Sequence, residues 1–164
     1  MRKFTKKMEV ILLVIGKTKT TYVEEGCREY IKRLSRFCNF AIECIPDIKS
    51  GKALTESLQK QKEGSAILAK IQQSDYLVLL DERGKEFTSV EFASWTDRVM
   101  ASGKRRVVFC VGGPYGFSED VYSRADSKIS LSKMTFNHEM VRLFFTEQLY
   151  RAFSILKGLP YHHE

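Results

Sequence analysis

Two pairs of polar residues interrupt an otherwise apolar segment near the end of the 164-residue chain. His138 and Arg142 are four positions apart, and so are Glu147 and Arg151, so in a helix each pair would share one face. The surrounding segment, Asn137–Lys157, has helical periodicity. Polar pairs on so apolar a helix are costly to bury, and they predict a function or a binding partner. A packed or capping role is the alternative for the histidine.

Three segments of unusual composition follow predicted strands. Gly112–Gly116 lets backbone approach a ligand closely and offers N–H groups at a helix start, although it matches neither the dinucleotide-binding pattern nor the P-loop. Leu131–Phe136 places hydroxyls and amides ahead of the last helix, and Leu80–Gly84 contains two adjacent carboxylates, Asp81 and Glu82. The simpler interpretations are a tight turn, a capped helix entry and a strand-end turn. A phosphate-bearing ligand at Gly112–Gly116 is a further alternative.

Strands and helices alternate along the chain, which predicts an α/β fold with a mostly parallel sheet and helices on both faces. We expect strands at Met8–Ile15, Phe40–Ile45, Tyr76–Leu80, Val107–Val111 and Lys128–Leu131. We expect helices at Tyr22–Phe37, Leu54–Ile71, Ser89–Ser102, Ser118–Arg124 and Asn137–Lys157. Parallel sheets bind ligands beyond the carboxyl ends of their strands. The three unusual segments therefore converge on one pocket if their strands are neighbours.

Composition narrows the functional classes. The chain is 43% hydrophobic and 29% charged, as in an ordinary soluble domain. Its net charge of +7 favours an anionic partner, nucleic acid first. The four cysteines form no CxxC pattern, so we expect no metal site and interpret them as buried free thiols in a reducing cytoplasm.

The N-terminus resembles a weak signal peptide, since basic residues precede the apolar run Val10–Ile15. That run is too short to be a signal or to span a membrane, so we interpret it as a buried strand and expect no membrane partner. We expect Met1–Lys7 to be a disordered extension and Met8–Glu164 to form a single domain.

Four motifs together resemble a known family. They are LDERGK (Leu80–Lys85), VGGPYGF (Val111–Phe117), SLSKMTF.H (Ser130–His138) and EQLYRAFSI…PYH.E (Glu147–Glu164). With these motifs the chain is similar, from Met8 onward, to the bacterial 23S ribosomal RNA pseudouridine N-methyltransferases of the RlmH type. The resemblance implies a SPOUT-class fold with a C-terminal trefoil knot that holds S-adenosylmethionine. It also implies methyl transfer to ring nitrogen N3 of a pseudouridine in the assembled ribosome.

The resemblance also assigns roles to single residues. The expected cofactor contacts are Leu80, Gly112, Leu131, Ser132, Lys133, Met134, Thr135 and Phe136. His138 and His162 are the candidates for the base that removes the imide proton, and Glu147 is less favoured because Arg151 pairs with it. The expected substrate contacts are Arg142, Tyr161 and His163.

Two positions depart from the family pattern. Asn137 stands where proline is usual; asparagine can cap a helix, so we expect only a small local change. His163 stands where arginine is usual, and a histidine is the weaker cation for a phosphate contact at neutral pH.

The end of the chain suggests two further features. The last helix has more apolar surface than one sheet covers, so we expect a homodimer with Phe144, Phe145 and Tyr150 in its interface. Because Gly158–Pro160 turns the chain, we expect the tail Tyr161–Glu164 to fold back toward the cofactor, in its own subunit or its partner. There Tyr161 would stack on a flipped-out base. The alternative for the whole chain is a non-catalytic basic α/β homodimer that docks on RNA.

Overall fold

The computed structural model describes residues 7–48 and 54–163, which form one five-stranded parallel sheet flanked by helices on both faces. Its spatial order is β2-β1-β4-β3-β5. The strands are β1 (Glu9–Ile15), β2 (Asn39–Ile45), β3 (Tyr76–Glu86), β4 (Arg106–Val111) and β5 (Ser127–Ser130). The helices are α1 (Thr21–Leu34), α2 (Glu56–Leu68), α3 (Ser89–Ala101), α4 (Glu119–Arg124) and α5 (Met140–Leu156). The predicted α/β class and parallel sheet are confirmed.

Alternate residues of β1 point into two separate hydrophobic cores, which is why the strand is continuously apolar. Val10, Leu12 and Val14 join a core with residues of α1, α3 and α5. Ile11 and Leu13 join the opposite core, which includes residues of α2 and α4. The sheet is therefore covered on both faces, as its composition indicates.

The helix α5 lies on the sheet between α1 and α3, which pack along its two sides. Its own chain therefore covers Phe145 and Tyr150, which are 0% and 8% exposed. The ring centroid of Phe145 is 4.5 Å from that of Phe109 in β4. The predicted availability of Phe145 and Tyr150 to a dimer interface is wrong, because α1 and α3 supply the second layer assigned to a partner. Phe144 stays 40% exposed.

The strand β3 continues six residues beyond its predicted end at Leu80. Ile129 of β5 is in register with both Leu80 and Lys85, so the intervening residues bulge out of the ladder. The carboxylate-bearing turn predicted after Leu80 is this bulge. At its end, Gly84 lies directly against the backbone of Ile129 and Lys128.

Local signals fix most helix starts. Thr88 and Glu91 form the reciprocal capping box expected at α3. Asn137 accepts hydrogen bonds from the N–H groups of Glu139 and Met140, at 2.8 and 3.4 Å. The predicted capping role of Asn137 is thus confirmed, although the regular helix starts three residues later, at Met140.

Several predictions fall outside or differ from the described structure. Residues 1–6 of the expected extension, most of the loop after β2 and Glu164 lie outside the described residues, whereas Lys7 donates to the carbonyl of Ser35. Cys44 is exposed, unlike the other three cysteines. The trefoil knot stays a prediction. Within the described residues, no helix combines the length and apolarity needed to cross a membrane.

We expect Gly84→Ala to destabilise the protein. An added Cβ would lie 2.5 Å from the carbonyl carbon of Ile129 and 2.7 Å from that of Lys128, so the ladder between β3 and β5 must shift. Such overpacking typically costs about 1–3 kcal/mol, measurable as a lower urea midpoint. Gly26→Ala is the control, since its Cβ would meet only the movable side chain of Leu143. Equal midpoints for Gly84→Ala and the wild type would contradict the close approach.

Candidate active site

A cleft of about 800 Å³ opens at the carboxyl ends of β1, β3 and β4. Its volume lies in the range typical of small-molecule sites, about 300–1,000 Å³. The described residues lining it include Ile15, Leu80–Arg83, Val111–Phe117, Thr135, Phe136, His138 and Arg142. The structure thus brings together parts of all three segments singled out in the sequence, because the strands that lead into them, β4, β3 and β5, are neighbours in the sheet.

The predicted cofactor residues divide into two groups. Leu80, Gly112, Thr135 and Phe136 line the cleft. Leu131–Met134 precede Thr135 in the same loop and do not line the cleft. In that loop, the hydroxyl of Ser132 accepts a 2.9 Å hydrogen bond from the N–H of Met134, whose side chain is 78% exposed. All eight contacts stay predictions.

The glycine-rich segment after β4 forms a tight turn and also lines the cleft. The N–H of Gly116 donates to the carbonyl of Gly113 at 3.1 Å, and Gly116 has a φ of +79°. Phe117 packs beneath the turn, where a Cβ at Gly112 would lie only 3.2 Å from the Phe117 ring. The turn then enters α4, which Ser118 caps. The backbone of the turn Gly112–Gly116 therefore faces the cleft with little side-chain cover.

The carboxylate of Asp81 is fixed in the wall of the cleft. One oxygen accepts a hydrogen bond from the hydroxyl of Tyr122, and the other accepts one from the N–H of Arg83 at 2.8 Å. Burial, together with this bond to Asp81, raises the pKa of Tyr122 to about 12. Tyr122 therefore remains a neutral donor at physiological pH. Asp81 serves as an acceptor that shapes the bulge after Leu80.

The segment before α5 carries His138 to the cleft. Because α5 begins at Met140, His138 lies ahead of the first helical turn, and it does not share a helix face with Arg142 as predicted. Glu139 accepts hydrogen bonds from the N–H groups of Lys19 and Thr20, at 2.8 and 2.9 Å. These bonds, the one from Thr20 first, lower the pKa of Glu139.

Arg142 is 2% exposed and binds the end of β1. Its guanidinium donates to the carbonyls of Ile15 and Gly16, at 3.0 and 2.9 Å, and to the hydroxyl of Thr18 at 2.9 Å. These acceptors occupy both terminal nitrogens. A contact between Arg142 and substrate stays a prediction, and in this arrangement the side chain supports the floor of the cleft.

The tail packs on the far part of α5, beyond Gly158 with its φ of +66°. Glu147 pairs with Arg151 at 2.6 Å, as predicted. The same carboxylate accepts the hydroxyl of Tyr161 at 3.0 Å. Burial, with further contributions from hydrogen bonds to Tyr30 and Glu147, raises the pKa of Tyr161.

His162 belongs to the same cluster as Tyr161. Its Nδ1 lies 3.2 Å from the guanidinium of Arg151. Arginine only donates, so this ring nitrogen is the acceptor. Arg151 is nine residues beyond Arg142, about 14 Å along the helix. Neither His162 nor the exposed His163 lines the cleft of its own chain.

Sequence reasoning missed the contribution of α2 to the cleft. Gln59, Lys60 and Glu63 line the cleft. Gly64 of α2 is a packing requirement, since a Cβ there would overlap the hydroxyl of Ser118. A glycine inside a polar helix was the available signal for this close approach.

Among the described residues, the charge that lines the cleft is opposite to that of the whole chain. The described lining residues with carboxylates are Asp47, Glu63, Asp81, Glu82 and Glu119. The described lining cations are Lys60, Arg83 and the buried Arg142. Although the chain carries a net charge of +7, this described lining favours a positively charged ligand. Across the described ranges, no cluster of three potential metal ligands is found.

Comparisons with known proteins agree with this architecture. The profile of the family described as predicted SPOUT methyltransferases matches residues 8–162. The chain is 56% identical over 156 residues to the ribosomal RNA large subunit methyltransferase H of Christiangramia forsetii, covering 95% of this chain and 99% of that one. The protein of the same name from Parabacteroides distasonis is 56% identical over 157 residues, covering 96% and 100%. The one from Porphyromonas gingivalis (strain ATCC 33277) is 51% identical over 157 residues, also covering 96% and 100%. With its parallel sheet, strand-end cleft and nearly full-length matches, the chain belongs to the SPOUT methyltransferase family.

Proposed function

We propose that this protein is a cytoplasmic enzyme that transfers a methyl group from S-adenosylmethionine to N3 of a pseudouridine in 23S ribosomal RNA of the assembled ribosome. Family membership and the names of the relatives support methylation of large-subunit ribosomal RNA. The finer assignment of atom and substrate rests on the resemblance of the motifs.

The observation that carries the choice of methyl donor is the acidic cleft at the strand ends. S-adenosylmethionine has a sulfonium and an ammonium against one carboxylate, and the excess of carboxylates lining the cleft matches its net positive charge. The glycine-rich turn Gly112–Gly116 lines the same cleft, so its backbone groups are available to such a ligand. The same carboxylates would repel a phosphate-bearing ligand, and a protein that only docks on RNA has no need of the cleft.

When bound, the donor supplies an electrophilic methyl group. A neutral imide nitrogen is a poor nucleophile, so a basic side chain must accept its proton. The cleft must also hold the nitrogen in line with the methyl group of the donor. His138 lines the cleft and is exposed, and we propose it as the base that acts in its own subunit. In its own chain, His162 lies outside the cleft and its Nδ1 accepts from Arg151.

We propose a homodimer in which the tail of one protomer serves the cleft of the other. Exposed apolar side chains near the cleft, Met134 and Phe144, are proposed in place of the interface expected from Phe145 and Tyr150. Met134 and Phe144 are 78% and 40% exposed, and the ring centroid of Phe144 is 4.9 Å from that of Phe136, which lines the cleft. Such exposed patches mark association surfaces, and association there would bring a partner next to the cleft.

The proposed activity is tested with ribosomes from cells that lack the enzyme. With labelled S-adenosylmethionine, the protein should transfer one methyl group to a pseudouridine of the large-subunit RNA, identified by mass mapping. Deproteinised RNA from the same ribosomes is the matched substrate control and should be methylated far more slowly. Transfer to another nucleotide, or none, would reject the assignment.

We expect Gly112→Val to weaken S-adenosylmethionine binding at least tenfold. Its Cβ would press against Phe117 and its methyl groups would occupy the cleft wall. Calorimetry gives the affinity, and circular dichroism checks that the variant is folded. A folded variant with wild-type affinity would place the cofactor elsewhere.

Removing residues 162–164 should reduce methyl transfer about a hundredfold, because His162 would no longer hydrogen-bond and position the substrate base in the cleft of the other protomer, while S-adenosylmethionine affinity stays unchanged. This truncation keeps Tyr161, because the Tyr161 ring packs on Tyr150 with centroids 4.8 Å apart. Deleting Tyr161 as well would also disturb the fold.

Mixing the truncated protein with Gly112→Val tests the dimer. In a mixed dimer, the truncated protomer has an intact cleft and the Gly112→Val protomer has an intact tail. A tail that acts across the interface would therefore restore part of the activity. Sedimentation of the wild type should give a dimer at micromolar concentration. A monomer would contradict the dimer, and a dimeric mixture without recovery would contradict action of the tail across it.

A further inference from the structure

The carboxylate of Glu63 lies buried in the wall of the cleft, on a helix that is otherwise mostly polar and solvent-facing. Only Glu63, Gly64 and Ile67 of α2 are buried, and Glu63 is 3% exposed. An ionised carboxylate removed from water is costly unless hydrogen bonds or charges compensate. The buried Glu63 carboxylate therefore requires a hydrogen-bond donor or a cation as its partner.

The described structure supplies only part of that compensation. Among the described residues, the one hydrogen-bond partner of Glu63 is Gln59, whose side-chain amide donates to Oε1 at 2.9 Å. No described cation lies within ion-pairing distance of it. A carboxylate offers about four acceptor positions on its two oxygens. Glu63 therefore retains acceptor capacity at a surface that lines the cleft.

Gly113 makes room for this carboxylate. A Cβ at Gly113 would overlap Oε2 of Glu63 and lie 2.7 Å from its Cδ. The backbone of Gly113 is not in the left-handed region that favours glycine, so conformation alone does not require glycine there. The missing side chain instead lets the carboxylate of Glu63 lie directly beneath the glycine-rich turn.

We propose that Glu63 is a binding residue for the methyl donor, where its carboxylate accepts a hydrogen bond from an O–H or N–H group of the S-adenosyl compound. Two groups of that ligand have this chemistry: the ribose hydroxyls and the α-ammonium. Acidic residues accept ribose hydroxyls near glycine-rich turns of other nucleotide-binding α/β proteins. The inference rests on the proposed function and adds the residue that anchors the donor from the side of α2.

The test measures S-adenosylhomocysteine binding to Glu63→Gln by calorimetry. Affinity should fall about tenfold to a hundredfold, the scale of one hydrogen bond to a charged group. Glu56→Gln is the matched control, since Glu56 is exposed on the same helix and outside the cleft. A loss that is equal for 5′-methylthioadenosine, which lacks the amino acid, assigns the ribose; a loss confined to S-adenosylhomocysteine assigns the ammonium. Either result supports the proposal.

A double-mutant cycle tests the link between Glu63 and Gly113. Gly113→Ala should weaken binding because it displaces the carboxylate, and in a Glu63→Ala background it should cost nothing further. Additive losses would overturn that link. A folded Glu63→Gln protein with wild-type affinity would overturn the inference and leave the proposed function intact, whereas a wild type that binds no S-adenosyl compound would overturn both.

Discussion

The cleft depends on the hydrogen bonds that join the start of α5 to the connection between β1 and α1. The Arg142 guanidinium donates hydrogen bonds to the carbonyls at the end of β1. The Glu139 carboxylate accepts hydrogen bonds from the N–H groups that precede α1. Cation and anion thus satisfy opposite ends of one connection. Hydrogen bonds to charged groups are worth about 1.5–3 kcal/mol each. Because Arg142 is buried, losing it would leave several acceptors without partners in the floor of the cleft.

These hydrogen bonds also explain how residues that are far apart in the sequence come to line one cleft. Residues at the start of α5 are fixed to β1, more than a hundred positions earlier, and the loop before α5 is held at the same place. The sheet order puts β4 between β1 and β3. The glycine-rich turn after β4 therefore lies between the bulge of β3 and the floor made by Arg142, and α2 closes the side. The cleft is a product of strand order more than of any single motif.

Local patterns in the sequence predicted those features that local physics controls. Continuous apolar strands, the cap at Asn137 and the pair Glu147–Arg151 depend on neighbouring residues only, and the structure confirms them. The burial of Phe145 was missed because cover from α1 and α3 is a tertiary effect. The extension of β3 was missed because its later residues pair with β5.

The same division holds within the site. Gly112 could be placed in the cleft from the sequence because it belongs to a strand-end signal, whereas His138 was expected within the last helix and lies ahead of it. The partners of Arg142 are separated from it by as many as 127 residues, and no periodicity reports such contacts. Glu63 is hidden for another reason: an acidic residue in a polar helix is unremarkable until the fold buries it.

The carboxylates that line the cleft have a consequence for turnover. Under the proposed reaction, the ligand enters with a sulfonium charge and leaves as a neutral thioether. An environment rich in negative charge attracts the first form more strongly than the second. With that donor, the cleft would discriminate between the fresh and the spent form by charge, which would weaken product inhibition. Raising the ionic strength, by screening those carboxylates, would blunt this discrimination.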